Sequence, residues 1–158
     1  ADERSLQTGD VLMLDTGAVR EGYFCDFDRN FAIGRAADDV RRAHASLYAA
    51  TEAALSELRP GMLARDLHRI LADALERQGA VVGGGRLGHG LGLTLTEWPS
   101  ITPLDTTELR EGMVLTLEPG VEIAPGRILV HEENIVLRGD GPELLSRRSP
   151  AELPEILR

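Results

Sequence analysis

Acidic residues stand opposite one another in two segments whose residue pattern predicts β-hairpins. In the first segment, residues 11–19 and 22–33 alternate and are rich in Val, Tyr, Phe and Ile, with a short turn between them. A two-residue loop between these strands places Asp15 directly opposite Asp26. Opposed residues on one sheet face have Cβ atoms about 4.5–5.5 Å apart, and like charges there destabilise the sheet.

The second hairpin repeats this arrangement. Residues 113–123 and 127–137 flank a three-residue loop, which places Glu118 opposite Glu132. No lysine or arginine opposes either acid pair in the predicted registers. The two pairs therefore predict that a bound cation supplies the missing positive charge.

Two helices separate the hairpins. Residues 38–58 and 63–78 carry apolar side chains near helical spacing, which predicts two amphipathic helices. The segment Arg59-Pro60-Gly61 ends the first helix, and Gly79 caps the second. The order hairpin, helix, helix, hairpin indicates an α+β fold.

The remaining segments carry less regular patterns. A glycine-rich stretch runs over 83–92, and 93–110 is expected to be irregular because it contains two prolines. The polar tail over 139–158 is expected to end in a short helix. With no interdomain linker, residues 1–158 are predicted to form a single catalytic domain.

The composition excludes several classes of partner. The net charge of −9 leaves no basic stripe for nucleic acid or an anionic membrane. The single cysteine, Cys25, excludes an intrachain disulfide. No signal peptide and no apolar run of about 20 residues is present, so we expect a cytoplasmic protein with no membrane partner.

The ligand types indicate the chemistry. His89, between two glycines, adds one imidazole to the four carboxylates, and this set suits Mn²⁺, Co²⁺, Fe²⁺ or Zn²⁺. Two metals bridged by carboxylates activate water and polarise a carbonyl, while a neighbouring carboxylate moves the proton. This combination predicts hydrolysis of an amide bond.

Five motifs in order resemble the pita-bread metallopeptidase family, which includes methionine aminopeptidases, Xaa-Pro aminopeptidases, prolidases and creatinases. The matching segments are Gly9–Gly17, Gly22–Phe31, Gly88–Gly92, Gly112–Gly120 and Glu132–Asn134. The resemblance implies a curved antiparallel sheet with two long helices. It also implies a metal-dependent hydrolase resembling Xaa-Pro aminopeptidase, with peptides or small molecules as substrates.

The resemblance assigns roles to all five ligands. Asp15 would bind one metal only, Asp26 and Glu132 would bridge two divalent ions, and His89 and Glu118 would bind the other ion. His89 and Glu118 are the catalytic candidates, with Glu118 as proton shuttle. The 14-residue spacing from Glu118 to Glu132 is closer to Xaa-Pro peptidases than to methionine aminopeptidases.

Three departures favour an alternative function. Thr96 occupies the position of a second family histidine, and Asp28 that of a common threonine. The usual arginine before the last glutamate motif is missing, since the chain there reads Val130-His131-Glu132. These changes resemble family members that act on small polar metabolites, such as ectoine hydrolase or dimethylsulfoniopropionate lyase. A second alternative is a non-catalytic binding relative.

The resemblance also bears on extent and on the other candidate residues. Family catalytic domains begin with two further helices and a strand, so we expect a domain incomplete at its N-terminus, with an open sheet edge and a possible homodimer. Glu133 is expected to be a solvated group or a second-layer partner of the site. His131 is expected to be structural or to support a ligand, and Cys25 to lie in the core.

Overall fold

The computed structural model describes residues 3–82 and 85–156, which form an α+β fold. The elements are β1 (Val11–Arg20), β2 (Tyr23–Ile33), α1 (Asp38–Glu57), α2 (Ala64–Arg77), β3 (His89–Gly90), β4 (Glu97–Ser100), β5 (Val114–Leu117), β6 (Gly120–Ala124), β7 (Arg127–Val130), β8 (Glu133–Arg138), β9 (Gly141–Leu144) and β10 (Glu155–Ile156). The predicted order of hairpin, helix, helix, hairpin is confirmed.

Within the described residues the strands form three sheets. β1, β2 and β10 form one sheet, with β1 at its edge, and β6 pairs with β7. The order β4-β3-β5-β8-β9 makes the central sheet. No helix in the described part of the chain is long and apolar enough to cross a membrane.

The two helices pack together because each buries one apolar face. Leu47 and Ala54 of α1 and Leu67 and Leu71 of α2 are fully buried in one cluster, which also contains Leu115 of the central sheet. Full burial of a leucine side chain contributes roughly 1.5–3 kcal/mol relative to exposure. This cluster therefore fixes the helices against the sheet that carries part of the site.

The helix ends also match the sequence prediction. The Asp66 side chain accepts a hydrogen bond from the Leu63 N–H (3.1 Å), which satisfies a free donor at the start of α2. After α2, Gly79 has a φ of 72°, the left-handed conformation typical of a helix C-terminus.

The register predicted for the first hairpin is wrong by two residues. The turn is formed by Glu21 and Gly22, with φ of 53° and 87°, because a two-residue hairpin turn of this kind needs left-handed backbone at both positions. Asp15 therefore pairs with Asp28, and Asp26 pairs with Gly17. A shift of two residues keeps every side chain on its face, so Asp15 and Asp26 still share one face.

The register predicted for the second hairpin is confirmed, but its strands are interrupted. Gly120 pairs with Val130, and Leu117 pairs with Glu133, so one register holds on both sides of the break. Pro119 has no N–H to donate, and the hairpin separates there into four short strands.

The loop of the second hairpin is also shorter than predicted. Ala124 pairs with Arg127 after a bulge, so two residues form the turn instead of three. The bulge absorbs the extra residue without changing the register further along the strands.

Two coil and tail predictions need correction. The segment 93–110 contains β4, and the tail contains strands β9 and β10 instead of a short helix. β10 runs parallel to the end of β2, and β9 pairs with β8. The position of β10 depends on the edge of β2, which is remote in the chain, so local sequence does not reveal this strand.

Candidate metal centre

Three aspartates share one face of the first hairpin. Asp15 and Asp28 are directly opposed, and Asp26 lies two residues before Asp28 on the same side of β2. Gly17 stands opposite Asp26, and a Cβ at that glycine would lie 2.3 Å from the Cys25 carbonyl oxygen. The glycine therefore allows the strands to approach where Asp26 stands.

Glycines also position His89. A Cβ at Gly88 would lie 2.2 Å from the Thr116 carbonyl oxygen, and one at Gly90 would lie 2.4 Å from the Trp98 carbonyl oxygen. The His89 N–H donates to the Thr116 hydroxyl oxygen at 3.1 Å. Only glycines beside His89 let the backbone pass this closely between its neighbours.

The hydrogen bond of the His89 ring fixes its useful nitrogen. Nδ1 lies 2.8 Å from the Gly90 carbonyl oxygen, which can only accept, so Nδ1 carries the hydrogen. In the neutral ring, the Nε2 lone pair then points away from that carbonyl. Nε2 lies 3.8 Å from Asp26 Oδ2 and 3.7 Å from Glu118 Oε2.

Glu118 and Glu132 lie where the second hairpin is interrupted. Glu118 Oε2 and Glu132 Oε1 are buried oxygens without a hydrogen-bond partner. Ligand atoms of Asp26, His89 and Glu132 lie within 4.8 Å of one another. Buried carboxylate oxygens without donors are costly unless a cation compensates them, so these residues fit a divalent metal.

The pKa values report the same crowding of negative charge. Burial, followed by the charges of Asp26 and Glu118, raises the pKa of Glu132 to about 9. Burial also raises the pKa of Asp26 and that of Glu118. The Arg86 guanidinium, 3.6 Å from Glu118 Oε2, opposes this rise only in part.

Asp28 belongs to the same group of acids. Its side chain is 1% exposed, and burial together with the Asp15 charge raises its pKa to about 7. The Asn30 amide donates to Asp28 Oδ1 at 3.0 Å, while Oδ2 is buried without a partner. The face therefore carries three aspartates.

Glu133 points into an ion-pair network. Glu133 accepts from Arg29 Nη2 at 3.0 Å and from the Ser149 N–H at 2.7 Å, and its Oε1 lies 3.1 Å from His131 Nε2. Burial raises the pKa of Glu133, but these hydrogen bonds outweigh it and lower the pKa overall. Arg29 also donates to the Glu132 carbonyl oxygen at 3.0 Å, so the network supports the neighbouring backbone.

The structure also places three other residues that the sequence singled out. His131 packs against the His44 ring at 5.8 Å, in line with the expected structural role. Cys25 is only half-buried and lines a cavity of about 390 Å³ with Asp15 and Asp26, so its prediction as a core residue is wrong in degree. Thr96 is exposed.

Asn134 and Thr116 were missed by the sequence interpretation. Asn134 exchanges two hydrogen bonds with the backbone of Asp26, and Thr116 accepts from the backbone of His89. Both residues lie inside matching segments, Gly112–Gly120 and Glu132–Asn134. A further signal was the place of Asn134 two residues after Glu132, which puts both side chains on one face of an extended strand.

Comparison with known proteins decides the family. The sequence profile of metallopeptidase family M24 matches residues 1–139, a range that contains all five predicted ligands. This chain belongs to metallopeptidase family M24. The family assignment confirms the resemblance that the five motifs indicated.

Curated relatives of this M24 chain include dipeptidases. It is 31% identical over 150 residues to the Xaa-Pro dipeptidase of Pyrococcus furiosus, which covers 93% of this chain and 42% of that protein. It is 33% identical over 153 residues to the probable dipeptidase PepE of Mycobacterium tuberculosis, covering 96% of this chain and 40% of that protein. The chain thus spans about two fifths of the length of these relatives.

Solved structures confirm the pita-bread fold. The dipeptidase PepE from Mycobacterium ulcerans has a TM-score of 0.92 at 32% identity, covering 99% of this chain and 43% of that one. The X-Pro aminopeptidase from Thermotoga maritima has a TM-score of 0.89 at 31% identity, covering 99% and 44%. A methionine aminopeptidase from Rickettsia prowazekii shares the fold at 22% identity and a TM-score of 0.81.

Proposed function

We propose that this chain carries the metal centre of a hydrolase that cleaves amide bonds of Xaa-Pro dipeptides. The carrying observation is the group of half-buried Asp26 with buried His89 and Glu132, whose ligand atoms lie within 4.8 Å of one another. Membership of a metallopeptidase family and relatives named Xaa-Pro dipeptidase support the reaction and the substrate class.

Five residues would hold two divalent ions. One ion would be held with the help of Asp15, the other with the help of His89 and Glu118, and Asp26 and Glu132 would contribute to holding both. The raised pKa values of Asp26, Glu118 and Glu132 support this set, because a cation relieves their mutual repulsion. Mn²⁺, Co²⁺, Zn²⁺ or Fe²⁺ suits these ligands, and when bound supplies Lewis-acid activation of water and carbonyl.

Glu118 is the residue that moves the proton. Its Oε2 is a buried oxygen without a hydrogen-bond partner, so Glu118 would be placed to take a proton from the attacking water and deliver it to the leaving amine. Arg86 and His89 lie within 3.6–3.7 Å of this oxygen and limit the rise in pKa.

The open side of the site supports a substrate with an apolar part. A cavity of about 390 Å³ is lined by Asp15 and Asp26 together with Val19, Phe24 and Leu95. An apolar side chain or a proline ring would lie against this wall while the scissile amide faces the acids.

A second candidate is a hydrolase or lyase for small polar metabolites. Asp28 favours it, because this buried acid opposes Asp15 where the resemblance leads one to expect a threonine. Thr96 favours it as well, because the resemblance leads one to expect a histidine at this position. Turnover of Xaa-Pro dipeptides compared with that of cyclic or zwitterionic metabolites separates the two functions.

We further propose that the chain forms one domain. Buried residues of both helices, of the central sheet and of β6 and β7 belong to a single cluster, which supports one shared core. Self-association stays a prediction, and the edge position of β1 in its sheet supports it.

Metal content tests the proposed centre directly. The chain is dialysed against Mn²⁺ and its metal is counted by mass spectrometry, beside Asp26→Asn and beside Asp140→Asn, an exposed aspartate that gives the same charge change. We expect about two equivalents in the wild type and in Asp140→Asn, and a clear loss in Asp26→Asn. Equal metal in Asp26→Asn and Asp140→Asn would contradict the proposed ligand set.

A further inference from the structure

Asp26 is held from outside its own hairpin. Its N–H donates to Asn134 Oδ1 at 3.1 Å, and Asn134 Nδ2 donates back to the Asp26 carbonyl oxygen. In an antiparallel ladder the N–H and C=O of one residue point to the same side, and those of Asp26 point away from β1. The Asn134 carboxamide thus takes the place that a neighbouring strand would have.

This contact joins two separate sheets. β2 belongs to the sheet β1-β2-β10, while β8 lies in the central sheet, and no ladder between β2 and β8 exists in the described residues. Side chains therefore set the distance from Asp26 on β2 to Glu132 beside β8. Asn134 is 3% exposed, so solvent does not substitute for its hydrogen bonds.

Thr116 holds a second ligand residue in the same way. Thr116 and Asn134 are directly opposed in the ladder of β5 and β8, and Thr116 is fully buried. The Thr116 hydroxyl oxygen accepts the His89 N–H at 3.1 Å. One cross-strand pair of polar side chains therefore holds the backbones of both Asp26 and His89.

We infer that Thr116 and Asn134 are positioning residues that set the distance between Asp26 and His89 in the metal centre. This inference rests on the proposed function. The residue types are those that the task needs: a carboxamide is both donor and acceptor, so it can satisfy an N–H and a C=O together. An aspartate at 134 would only accept, and a valine at 116 would not accept at all.

Metal affinity and local hydrogen exchange test the pair on the full chain. The variants are Asn134→Leu, Asn134→Asp and Thr116→Val. The control is Ile135→Val, a fully buried residue that neighbours Asn134 on β8 but faces the opposite side. Mn²⁺ affinity is measured by titration calorimetry, and amide exchange of the metal-free proteins by NMR.

We expect each of the three variants at positions 116 and 134 to bind Mn²⁺ about 10–100-fold more weakly than the wild type. This is the usual effect of losing a partner that orients a metal ligand. Exchange should accelerate at the Asp26 N–H in Asn134→Leu and at the His89 N–H in Thr116→Val, each leaving the other site unchanged. Ile135→Val should lower the melting temperature without changing Mn²⁺ affinity.

Two results would overturn the inference in different ways. Wild-type affinity in folded Thr116→Val and Asn134→Asp would remove the positioning role and leave the proposed metal centre intact. Absence of Mn²⁺ binding by the wild type would overturn the proposed metal centre itself, and the positioning role with it. Asn134→Asp and Thr116→Val keep nearly the native side-chain shape, so they decide the matter if Asn134→Leu fails to fold.

Discussion

His89 shows at the scale of one residue how backbone space governs this site. Nδ1 of its ring donates a hydrogen bond to the Gly90 carbonyl oxygen. The lone pair of Nε2, which lies on the side of Asp26, therefore stays available to a metal ion. Its backbone lies between β4 and β5, where a side chain at position 90 would meet the Trp98 carbonyl group. The glycines are therefore required by the approach of neighbouring strands.

Gly90→Ala tests this requirement. The new Cβ would stand 2.4 Å from the Trp98 carbonyl oxygen, so the strand must shift, at a cost of roughly 1–3 kcal/mol. We expect a lower melting temperature and weaker Mn²⁺ binding, measured by thermal unfolding and titration. Gly85→Ala is the matched control, since nothing lies within 4 Å of its Cβ; equal behaviour of the two variants would refute the steric argument.

At the scale of an element, the turn of the first hairpin sets which acids oppose each other. Glu21 and Gly22 adopt left-handed backbone, and the ladder that follows pairs Asp15 with Asp28. Glycine tolerates this conformation, whereas glutamate at 21 does so at a cost. The register is thus fixed by turn geometry at a distance from the acids.

Glu21→Asn should stabilise the chain. Asparagine before glycine is the preferred pair for a two-residue turn with left-handed backbone, so we expect a gain of up to about 1 kcal/mol in urea unfolding. Mn²⁺ affinity should stay at the wild-type value because the register is retained. Glu21→Val should be less stable than the wild type, since a β-branched side chain resists positive φ; a stabilised valine variant would contradict this turn.

At the scale of the whole molecule, the buried acids link stability to pH and to metal. Glu132 has a pKa of about 9 in the folded chain against an ordinary value of 4.5. Its contribution to stability is therefore fully present below about pH 4.5 and is lost as the pH rises toward 9. A divalent cation competes with the proton for this carboxylate and restores stability at high pH.

Mn²⁺ should consequently raise the melting temperature more at about pH 8 than at about pH 5.5. At the lower pH the metal must displace the proton on Glu132 at greater cost, so the rise in melting temperature on adding Mn²⁺ is smaller. Thermal unfolding with and without Mn²⁺ at both pH values measures the difference. Glu132→Gln should show little shift at either pH, and an equal shift for the wild type at both would exclude the linkage.

The sequence by itself determined the two helices, the two hairpins and most of the face that carries the acids. Periodicity gave both helices, and the period of two along a strand put Asp15 and Asp26 on one side even with the register misplaced by two residues. The motifs identified the family before any coordinates, because their glycines and acids occur in a fixed order.

Only the tertiary structure decided how the two hairpins meet. The pairing of β10 with β2, and the contacts of Thr116 and Asn134 with His89 and Asp26, join residues far apart in the chain. Local patterns encode which face a side chain occupies, but not which remote backbone comes to lie beside it. That placement depends on how the helices and sheets pack, because packing alone sets the distance between separate sheets.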